Sequence, residues 1–323
     1  ILVMAIAGQE GALREREGKG REQLLRERIL RGRQAFDPRI LLPFSSVMWN
    51  ISLGGQGEGI STLGKRQETV KSGTITGNET WSGVIRMTGD VIITTTGKVT
   101  IQAGTLIKAD PETDDQSGGA NSSRVELIVD GGELRVEGEE NNPVVFTTTG
   151  GTGEWYGIRI IKHGGEIVFR NCKIEKAITG LEVLSSRVNV FPTIEKVTVQ
   201  GSSGTGIYIK VGTLSPEVVG GLKDCVVKGN GGTGLVIEES NNVQVEGGEF
   251  SENSGHGVYA GSSGVTFSNC TLSGNRGKGM EYRNSTVTLR NCMVKNNGGD
   301  GIGRWEWSYG YLELEGCKVE GNG

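Results

Sequence analysis

A histidine flanked by glycines, in Gly255-His256-Gly257, is the residue whose type and setting most readily suggest chemistry in this sequence. Imidazole exchanges protons near neutral pH, and a glycine-bordered turn can present it in an active site. The same triplet can equally be one unit of a repeat that happens to carry a histidine. The two interpretations differ in the residues they expect at equivalent positions along the chain.

Aromatic side chains are concentrated near residue 310. The stretch RWEWSYGYLEL (304–314) alternates aromatic with other residues, and alternation along a β-strand would place all the rings on one face. Such a row would either stack on sugar rings or cover the apolar end of the fold. The four candidate residues are Trp305, Trp307, Tyr309 and Tyr311.

Carboxylates are concentrated in the stretch ADPETDDQSGGANSS (109–123). Oxygen ligands of this kind bind calcium, so the stretch is a candidate for a calcium site, and a solvated surface loop explains it as well. The residues concerned are Asp110, Glu112, Asp114 and Asp115. No other metal site and no cofactor is predicted.

A repeat with the length of one β-solenoid coil runs through the second half of the chain. Similar phrases, such as CVVKGN and CTLSGN, begin with cysteine or, in two cases, with valine or glycine. They start at residues 172, 197, 225, 248, 270, 292 and 317, with separations of 25, 28, 23, 22, 22 and 25 residues. One coil cannot bury its inner face alone, and it does so by stacking on its neighbours.

Aligning these phrases gives columns of equivalent residues, which should form ladders along the solenoid axis. A glycine lies nine residues after the start of five of the phrases. Neighbouring coils are too far apart for disulfides, so the cysteines are expected to form an inward stack of free thiols. That stack comprises Cys225, Cys270, Cys292 and Cys317. Asparagines fill a second structural column, at Asn230, Asn253, Asn275, Asn297 and Asn322.

The repeat favours one interpretation of His256. The equivalent positions hold Thr205, Thr233, Lys278 and Asp300, so the slot accepts unrelated side chains and is expected to face solvent. We therefore interpret Gly-His-Gly as part of the repeat and assign no catalytic residue. The substitution His256→Ala should then change the free energy of unfolding by less than about 0.5 kcal/mol.

These columns and the strand EWYGIRI (154–160) resemble the pectate-lyase-like superfamily over about 74–323. The resemblance implies an all-β fold, a single right-handed parallel β-helix of roughly ten coils. Its polygalacturonase-like hydrolases would also require Asn-Thr-Asp, Asp-Asp and Arg-Ile-Lys motifs. Here Asn-Thr-Asp is absent from the sequence, Asp114-Asp115 lies in the acidic stretch, and RIIK (159–162) precedes His256.

The first 44 residues follow a different pattern. Pairs of acidic and basic residues four apart, with the acid first, favour a helix between residues 9 and 36. An apolar start, ILVMAIAG, followed by a charged helix resembles a type IV pilin, and the alternative is a helix that caps the first coil. We therefore divide the chain into an apolar stub, charged α-helical arm and docking segment (1–44) and a β-helix (45–323).

Composition restricts the possible functions. The 323 residues include 55 glycines and only 35% hydrophobic residues, which suits a thin, regular core, and the net charge of −4 argues against nucleic acid as a partner. The first hypothesis is an extracellular or cell-surface structural or adhesive protein, including a filament subunit that self-associates through its N-terminal arm and C-terminal coil end. The alternative is a carbohydrate-active protein that binds or cleaves a polysaccharide along the side of the β-helix.

Overall fold

The computed structural model describes residues 68–184, 191–214 and 220–323. The predicted arm (1–44) lies outside the described residues, so its helix and its capping or pilin-like role stay predictions. The same holds for the boundary at residue 45. In the described part of the chain, no helix has the length and apolar character that a membrane crossing demands.

The described residues form 29 strands. The first fifteen in chain order are β1 (Glu68–Ile75), β2 (Asn78–Trp81), β3 (Val84–Thr94), β4 (Lys98–Gln102), β5 (Leu106–Ala109), β6 (Glu126–Asp130), β7 (Glu133–Glu137), β8 (Val144–Thr148), β9 (Gly157–Lys162), β10 (Ile167–Glu175), β11 (Leu181–Val183), β12 (Thr193–Gln200), β13 (Ile207–Ile209), β14 (Gly212–Thr213) and β15 (Gly220–Lys223). The remainder are β16 (Val226–Lys228), β17 (Leu235–Glu238), β18 (Ser240–Asn241), β19 (Val243–Glu246), β20 (Glu249–Ser251), β21 (Val258–Gly261), β22 (Gly264–Ser268), β23 (Thr271–Ser273), β24 (Met280–Arg283), β25 (Ser285–Arg290), β26 (Met293–Lys295), β27 (Ile302–Arg304), β28 (Gly310–Glu315) and β29 (Lys318–Glu320).

Parallel pairing between successive coils arranges 27 of these strands on three faces, and β14 and β18 form a separate two-stranded sheet. Face 1 contains β2, β4, β7, the first half of β10 and of β12, β15, β19, β22, β25 and β28. Face 2 contains β5, β8, the second half of β10 and of β12, β16, β20, β23, β26 and β29. Face 3 contains β6, β9, β11, β13, β17, β21, β24 and β27, and the long strands β1 and β3 span faces 2 and 3. Ten strands follow one another along face 1, which confirms the expectation of roughly ten coils.

The core is built from the alternation of side chains along each strand. In β19, Val243 and Val245 point inward and are buried, whereas Gln244 between them is exposed, because successive residues of a strand face opposite sides. Aromatic rings fill the interior in places, as where Phe250 and Phe267 meet edge to face with ring centroids 6.2 Å apart. Each coil therefore buries a narrow disc of apolar side chains against the discs of its neighbours.

The cysteine column follows the register that the repeat predicts. Cys172 pairs with Val197, and the pairings of β16, β20, β23, β26 and β29 continue the same alignment to residue 317. Cys225, Cys270 and Cys292 are free and buried, and Cys317 is half-buried. Burial raises the pKa of the Cys225 thiol to about 12, so this thiol is a small apolar side chain rather than a reactive group.

The asparagine column forms a continuous hydrogen-bonded ladder at the corner between faces 2 and 3. The side-chain amide of each asparagine donates to the side-chain oxygen of the next, at 2.8–2.9 Å, along Asn230, Asn253, Asn275, Asn297 and Asn322. Each acceptor oxygen also binds the backbone N–H of the preceding member. The ladder satisfies buried backbone groups that the turn would otherwise leave without partners.

The glycine column marks the entry to face 3. A Cβ atom on Gly234 would lie 2.7 Å from the carbonyl oxygen of Gly257 in the next coil and 2.6 Å from the amide nitrogen of Asn253. Backbone and ladder therefore occupy the space of a side chain, and only glycine fits between them. The requirement recurs because the coils stack with the same register.

Candidate functional site

The four acidic residues of the stretch 109–123 have separate partners. Asp110 forms a two-pronged ion pair with Arg86, at 2.8 Å, and this pair raises the pKa of Arg86. The Glu112 carboxylate lies 3.8 Å from Arg124. The carboxylates thus do not converge as the calcium hypothesis requires, and no group of three or more potential ligands that could hold a metal ion occurs among the described residues.

The other two acidic residues fasten the loop itself. Asp114 accepts hydrogen bonds from the backbone N–H groups of Asp90, Gln116 and Gly118, at 2.9–3.0 Å. Asp115 accepts a hydrogen bond from the hydroxyl of Thr88, which lowers the pKa of its carboxyl group. Both side chains stabilise a fixed surface loop.

Two buried carboxylates lie in the column that elsewhere holds glycine. Glu126 pairs in register with Gly157, and its backbone N–H donates to Asp90 at 2.8 Å. Glu126 also accepts two backbone N–H bonds from the loop and forms an ion pair with Arg159, at 3.1 Å. Burial raises the pKa of Asp90 to about 7, and its second oxygen, Oδ2, is buried without a hydrogen-bond partner. These groups are enclosed, so they connect the loop to the coil rather than meet a ligand.

His256 does not face open solvent, which corrects the expectation from the repeat. Its Nδ1 accepts the backbone N–H of Lys278 at 3.0 Å, and its Nε2 lies 3.3 Å from the carboxylate of Glu281. Glu281 is buried and also pairs with the Lys278 ammonium group at 2.9 Å. Both imidazole nitrogens are engaged, so His256 ties two coils together on face 3. The contact involves a residue 25 positions away, and the column composition alone gave no sign of it.

The predicted aromatic strand is interrupted by a turn. Strand β27 ends at Arg304 and β28 begins at Gly310, so Trp305, Trp307 and Tyr309 lie between faces 3 and 1, and only Tyr311 lies within a strand. The backbone of Trp307 is left-handed, with φ of 58°. The prediction that all four rings share one face of a single strand is therefore wrong.

The turn contains three more residues than the same corner of the preceding coil. Tyr282 pairs with Arg304 and Ser285 with Gly310, so three steps along one coil correspond to six along the next. The 25-residue spacing between the last two repeat phrases comes from this insertion. We call residues 305–311 the aromatic turn.

Hydrogen bonds hold the backbone of the aromatic turn in place. Ser308 is buried, and both its N–H and its hydroxyl donate to the carbonyl oxygen of Trp305, at 3.3 and 2.7 Å. The side-chain oxygen of Asn284 accepts the N–H of Tyr309 at 3.0 Å. The aromatic rings themselves project outward from this fixed turn.

The exposure of these rings argues against the end-covering interpretation. The exposed fraction is 50% for Trp305, 99% for Trp307, 85% for Tyr309 and 81% for Tyr311. Side chains this accessible cover little of the core. Large exposed apolar side chains that lie close together in the chain are candidates for a binding surface.

A shallow depression lies on face 1 beside the aromatic turn. Its polar lining crosses three coils and consists of Asn242, Gln244, Gly264, Thr266, Thr286 and Thr288. We call this the face-1 groove. These polar residues point outward, because Val243, Val265 and Val287 between them point into the core.

The register of face 1 connects the groove to the aromatic turn. Gly264 pairs with Thr286, and Thr286 pairs with Tyr311 in the next coil. Gly264 has no side chain, so the surface is depressed at this position. Tyr311 lies in the same column as Gly264 and Thr286, in the coil that follows the groove. A second column of the groove runs through Gln244, Thr266 and Thr288 and ends at Glu313. The Glu313 carboxylate accepts a hydrogen bond from the hydroxyl of Thr288 at 3.2 Å.

The sequence contained the groove residues at repeat spacing, but nothing marked them as functional. Thr266 and Thr288 are 22 residues apart, as are many outward-facing residues of the solenoid. Threonine on the outer side of a strand is ordinary, and a depression becomes visible only when neighbouring coils are stacked.

Two family descriptions match the chain. Residues 73–177 match the "Pectate-lyase like beta helix domain" and residues 184–323 match the "Right handed beta helix region". The chain belongs to the pectate-lyase-like right-handed β-helix superfamily. The right-handed β-helix and the resemblance to this superfamily seen in the sequence are thereby confirmed. No curated protein matches this β-helix chain by sequence.

Three solved structures illustrate proteins to which this β-helix is similar. The periplasmic alginate epimerase AlgG is 13% identical, over 73% of this chain and 70% of that chain, with a TM-score of 0.45. The pectate lyase Pel9A is 14% identical, over 69% and 70%, with a TM-score of 0.40. The enzymatically active domain of tailspike protein 2 from bacteriophage CBA120 is 10% identical, over 78% and 43%, with a TM-score of 0.40. Similarity at these levels does not extend any of the three activities to this β-helix.

Proposed function

We propose that this protein is a carbohydrate-binding β-helix that holds a polysaccharide against face 1, with the aromatic turn as its stacking platform. The observation that carries the proposal is the nearly complete exposure of Trp307 on a turn whose backbone is fixed by hydrogen bonds. Exposing an aromatic ring to water is unfavourable. Because the backbone of the turn is already fixed, ligand binding has to order only the side-chain angles of the ring, which limits the loss of conformational entropy.

The chemistry of the surface suits a sugar polymer. The apolar faces of sugar rings pack on exposed aromatic rings, and sugar hydroxyls exchange hydrogen bonds with amides and hydroxyls. The aromatic turn supplies the first kind of contact, and the face-1 groove, at Gln244, Thr266 and Thr288, supplies the second. Because the groove crosses successive coils, it offers a chain-like ligand repeated contacts.

The proposal concerns binding rather than cleavage. Hydrolysis of a glycosidic bond ordinarily requires two carboxyl groups on either side of the bond. Among the groove residues that the structure describes there is no carboxylate, and Glu313 alone contacts the groove, through Thr288. We propose an extracellular or cell-surface location, where structural polysaccharides occur. The filament hypothesis depends on residues 1–44 and on the C-terminal coil end, and no described contact supports it.

Binding of the full-length chain to soluble polysaccharides tests the proposal. Retardation in native gels that contain a neutral or an acidic polysaccharide would report binding directly. We expect Trp307→Ala to weaken that binding about tenfold, which corresponds to about 1.4 kcal/mol. The thermal unfolding temperature should stay unchanged, because the ring is almost fully exposed.

A matched control is Val70→Ala, which removes another exposed apolar side chain, in strand β1 of the first coil. It should leave binding unchanged. If neither the neutral nor the acidic polysaccharides retard the protein, the proposal is overturned. Equal retardation of the wild type and of Trp307→Ala would do the same.

A further inference from the structure

The side chains of the face-1 groove carry no charge, and we infer that the polysaccharide it binds is neutral. A polymer of uronic acids or of sulfated sugars would be a poor ligand. The inference rests on the proposed function and narrows the chemical class of its ligand.

The groove offers groups that both donate and accept hydrogen bonds. Asn242 and Gln244 contribute side-chain amides, and Thr266, Thr286 and Thr288 contribute hydroxyls. Each of these groups has both a donor and an acceptor; the Thr288 hydroxyl already donates to Glu313 and the Asn242 amide to the carbonyl oxygen of Leu214, so these two offer a ligand mainly their acceptor oxygens. Sugar hydroxyls have the same dual character, so the groove can pair with them without requiring a charge on the ligand.

The charges beside the groove oppose an anionic ligand. Glu313 follows Thr288 in the same column, and its carboxylate would repel a uronate at that end. In the adjacent column Lys223 of the coil before the groove, Glu246, Ser268 and Arg290 lie in register, so positive and negative charges alternate there. The Arg290 guanidinium is already paired with Glu315, at 3.1 Å.

No cation lines the groove among the described residues. A ligand carboxylate would therefore lose its hydration without gaining a counter-charge, which is costly. A neutral sugar has no charge to dehydrate, so this cost does not arise. The balance of charge, rather than the shape of the groove, selects the ligand class.

The direction of the ligand follows from the register. Gln244, Thr266 and Thr288 lie directly above one another in three successive coils, about 4.8 Å apart. A polymer lying along the solenoid axis would meet an equivalent side chain at each step and reach the ring of Tyr311 at the end of the adjacent column. The regular spacing of outward side chains along the axis therefore suits a ligand that is itself a polymer of similar units.

Isothermal titration of the full-length protein tests the inference. The neutral probes are oligosaccharides of glucose, mannose and xylose, and the acidic probes are oligogalacturonate and oligomannuronate of equal length. We expect the best neutral probe to bind at least tenfold more tightly than either acidic probe. Its affinity should change little between low and high salt, because no ion pair forms.

Paired variants locate the binding to the groove. Thr266→Val and Thr288→Val remove one hydroxyl each at nearly constant volume, and each should weaken binding of the neutral probe about threefold to tenfold. Thr271→Val is the control, because Thr271 lies on the outer side of face 2 and should leave the affinity unchanged.

The outcomes separate this inference from the proposed function. Acidic probes that bind as tightly as neutral ones would overturn the inference, and so would unchanged affinity in both groove variants. In either case a loss of binding in Trp307→Ala would leave the proposed function standing. If no probe of either class binds, the proposed function itself is wrong.

Discussion

At the scale of single residues, the neighbouring coil determines what a side chain does. His256 and Thr233 occupy equivalent slots of the repeat, yet only His256 contacts a buried carboxylate, that of Glu281. Asp90 and Glu126 occupy the glycine column, and both have a raised pKa because burial disfavours the charged form. These buried or half-buried ionisable groups therefore affect the stability of the solenoid rather than the chemistry of its surface.

Asp90 predicts a pH-dependent stability. Its pKa is about 7 in the folded protein and about 3.9 in an unfolded chain. The contribution of the protonated Asp90 to the free energy of unfolding is fully present below pH 3.9. It is lost as the pH rises towards 7, by about 1.4 kcal/mol per pH unit. Asp90→Asn cannot ionise. From pH 5 to pH 7 the wild type should lose about 2 kcal/mol relative to this variant in urea unfolding, and parallel stability profiles would contradict the assignment.

His256 predicts a larger loss of stability than its slot suggested. In His256→Ala the N–H of Lys278 loses its acceptor and the buried Glu281 loses one of its partners. We expect the free energy of unfolding to fall by about 1–2 kcal/mol. Thr233→Ala, at an equivalent slot, should change it by less than about 0.5 kcal/mol. Equal and small effects in both variants would restore the interpretation of a solvent-facing slot.

At the scale of elements, ladders across the coils matter more than contacts within one strand. The strands of this solenoid are short, and several contain only three residues. Their corners are fixed by side chains that repeat from coil to coil, above all by the asparagine ladder. Each corner is held by hydrogen bonds from the corners of neighbouring coils. Substitution of one ladder asparagine therefore weakens the corner of an adjacent coil as well as its own.

The asparagine ladder predicts a severe effect from one substitution. The side-chain oxygen of Asn275 accepts both the backbone N–H and the side-chain amide of Asn253. In Asn275→Ala the backbone N–H of Asn253 would be buried without a partner, and its side-chain amide would keep only the bond to the carbonyl oxygen of Val227. We therefore expect a loss of about 3 kcal/mol in unfolding free energy. Ser254→Ala, at an exposed neighbouring site, is the control and should have little effect. A loss below about 1 kcal/mol for Asn275→Ala would show that water or a shifted turn replaces the ladder.

At the scale of the whole molecule, stability is distributed along one axis. Every strand pair joins a coil to the coil before or after it, so the energy of the solenoid is nearly a sum over neighbouring coils. The aromatic turn and the face-1 groove extend over adjacent coils in the last third of the chain. Their geometry therefore depends on the local stack rather than on the distant first coils.

Phe267 predicts a local rather than a global loss of order. It is fully buried and packs against Phe250, so Phe267→Ala should cost about 4 kcal/mol. Hydrogen exchange should accelerate in strands β19 to β26, while β4 to β10 keep their protection. Trp307→Ala removes a larger but exposed ring and should leave exchange unchanged. Equal acceleration of hydrogen exchange in all coils would contradict a stability that is a sum over neighbouring coils.

The sequence by itself determined the fold and its columns. The spacing of the repeat, the glycines and the asparagines identified a parallel β-helix of about ten coils, because a residue's place in a coil and its inward or outward direction follow from local periodicity. Only the tertiary structure decided which outward residues act together. Contacts such as His256 with Glu281, Arg86 with Asp110 and those that form the face-1 groove join residues some 20 to 30 positions apart. Those contacts depend on how coils stack and where an inserted turn projects, and neither is encoded in the periodicity of a single strand.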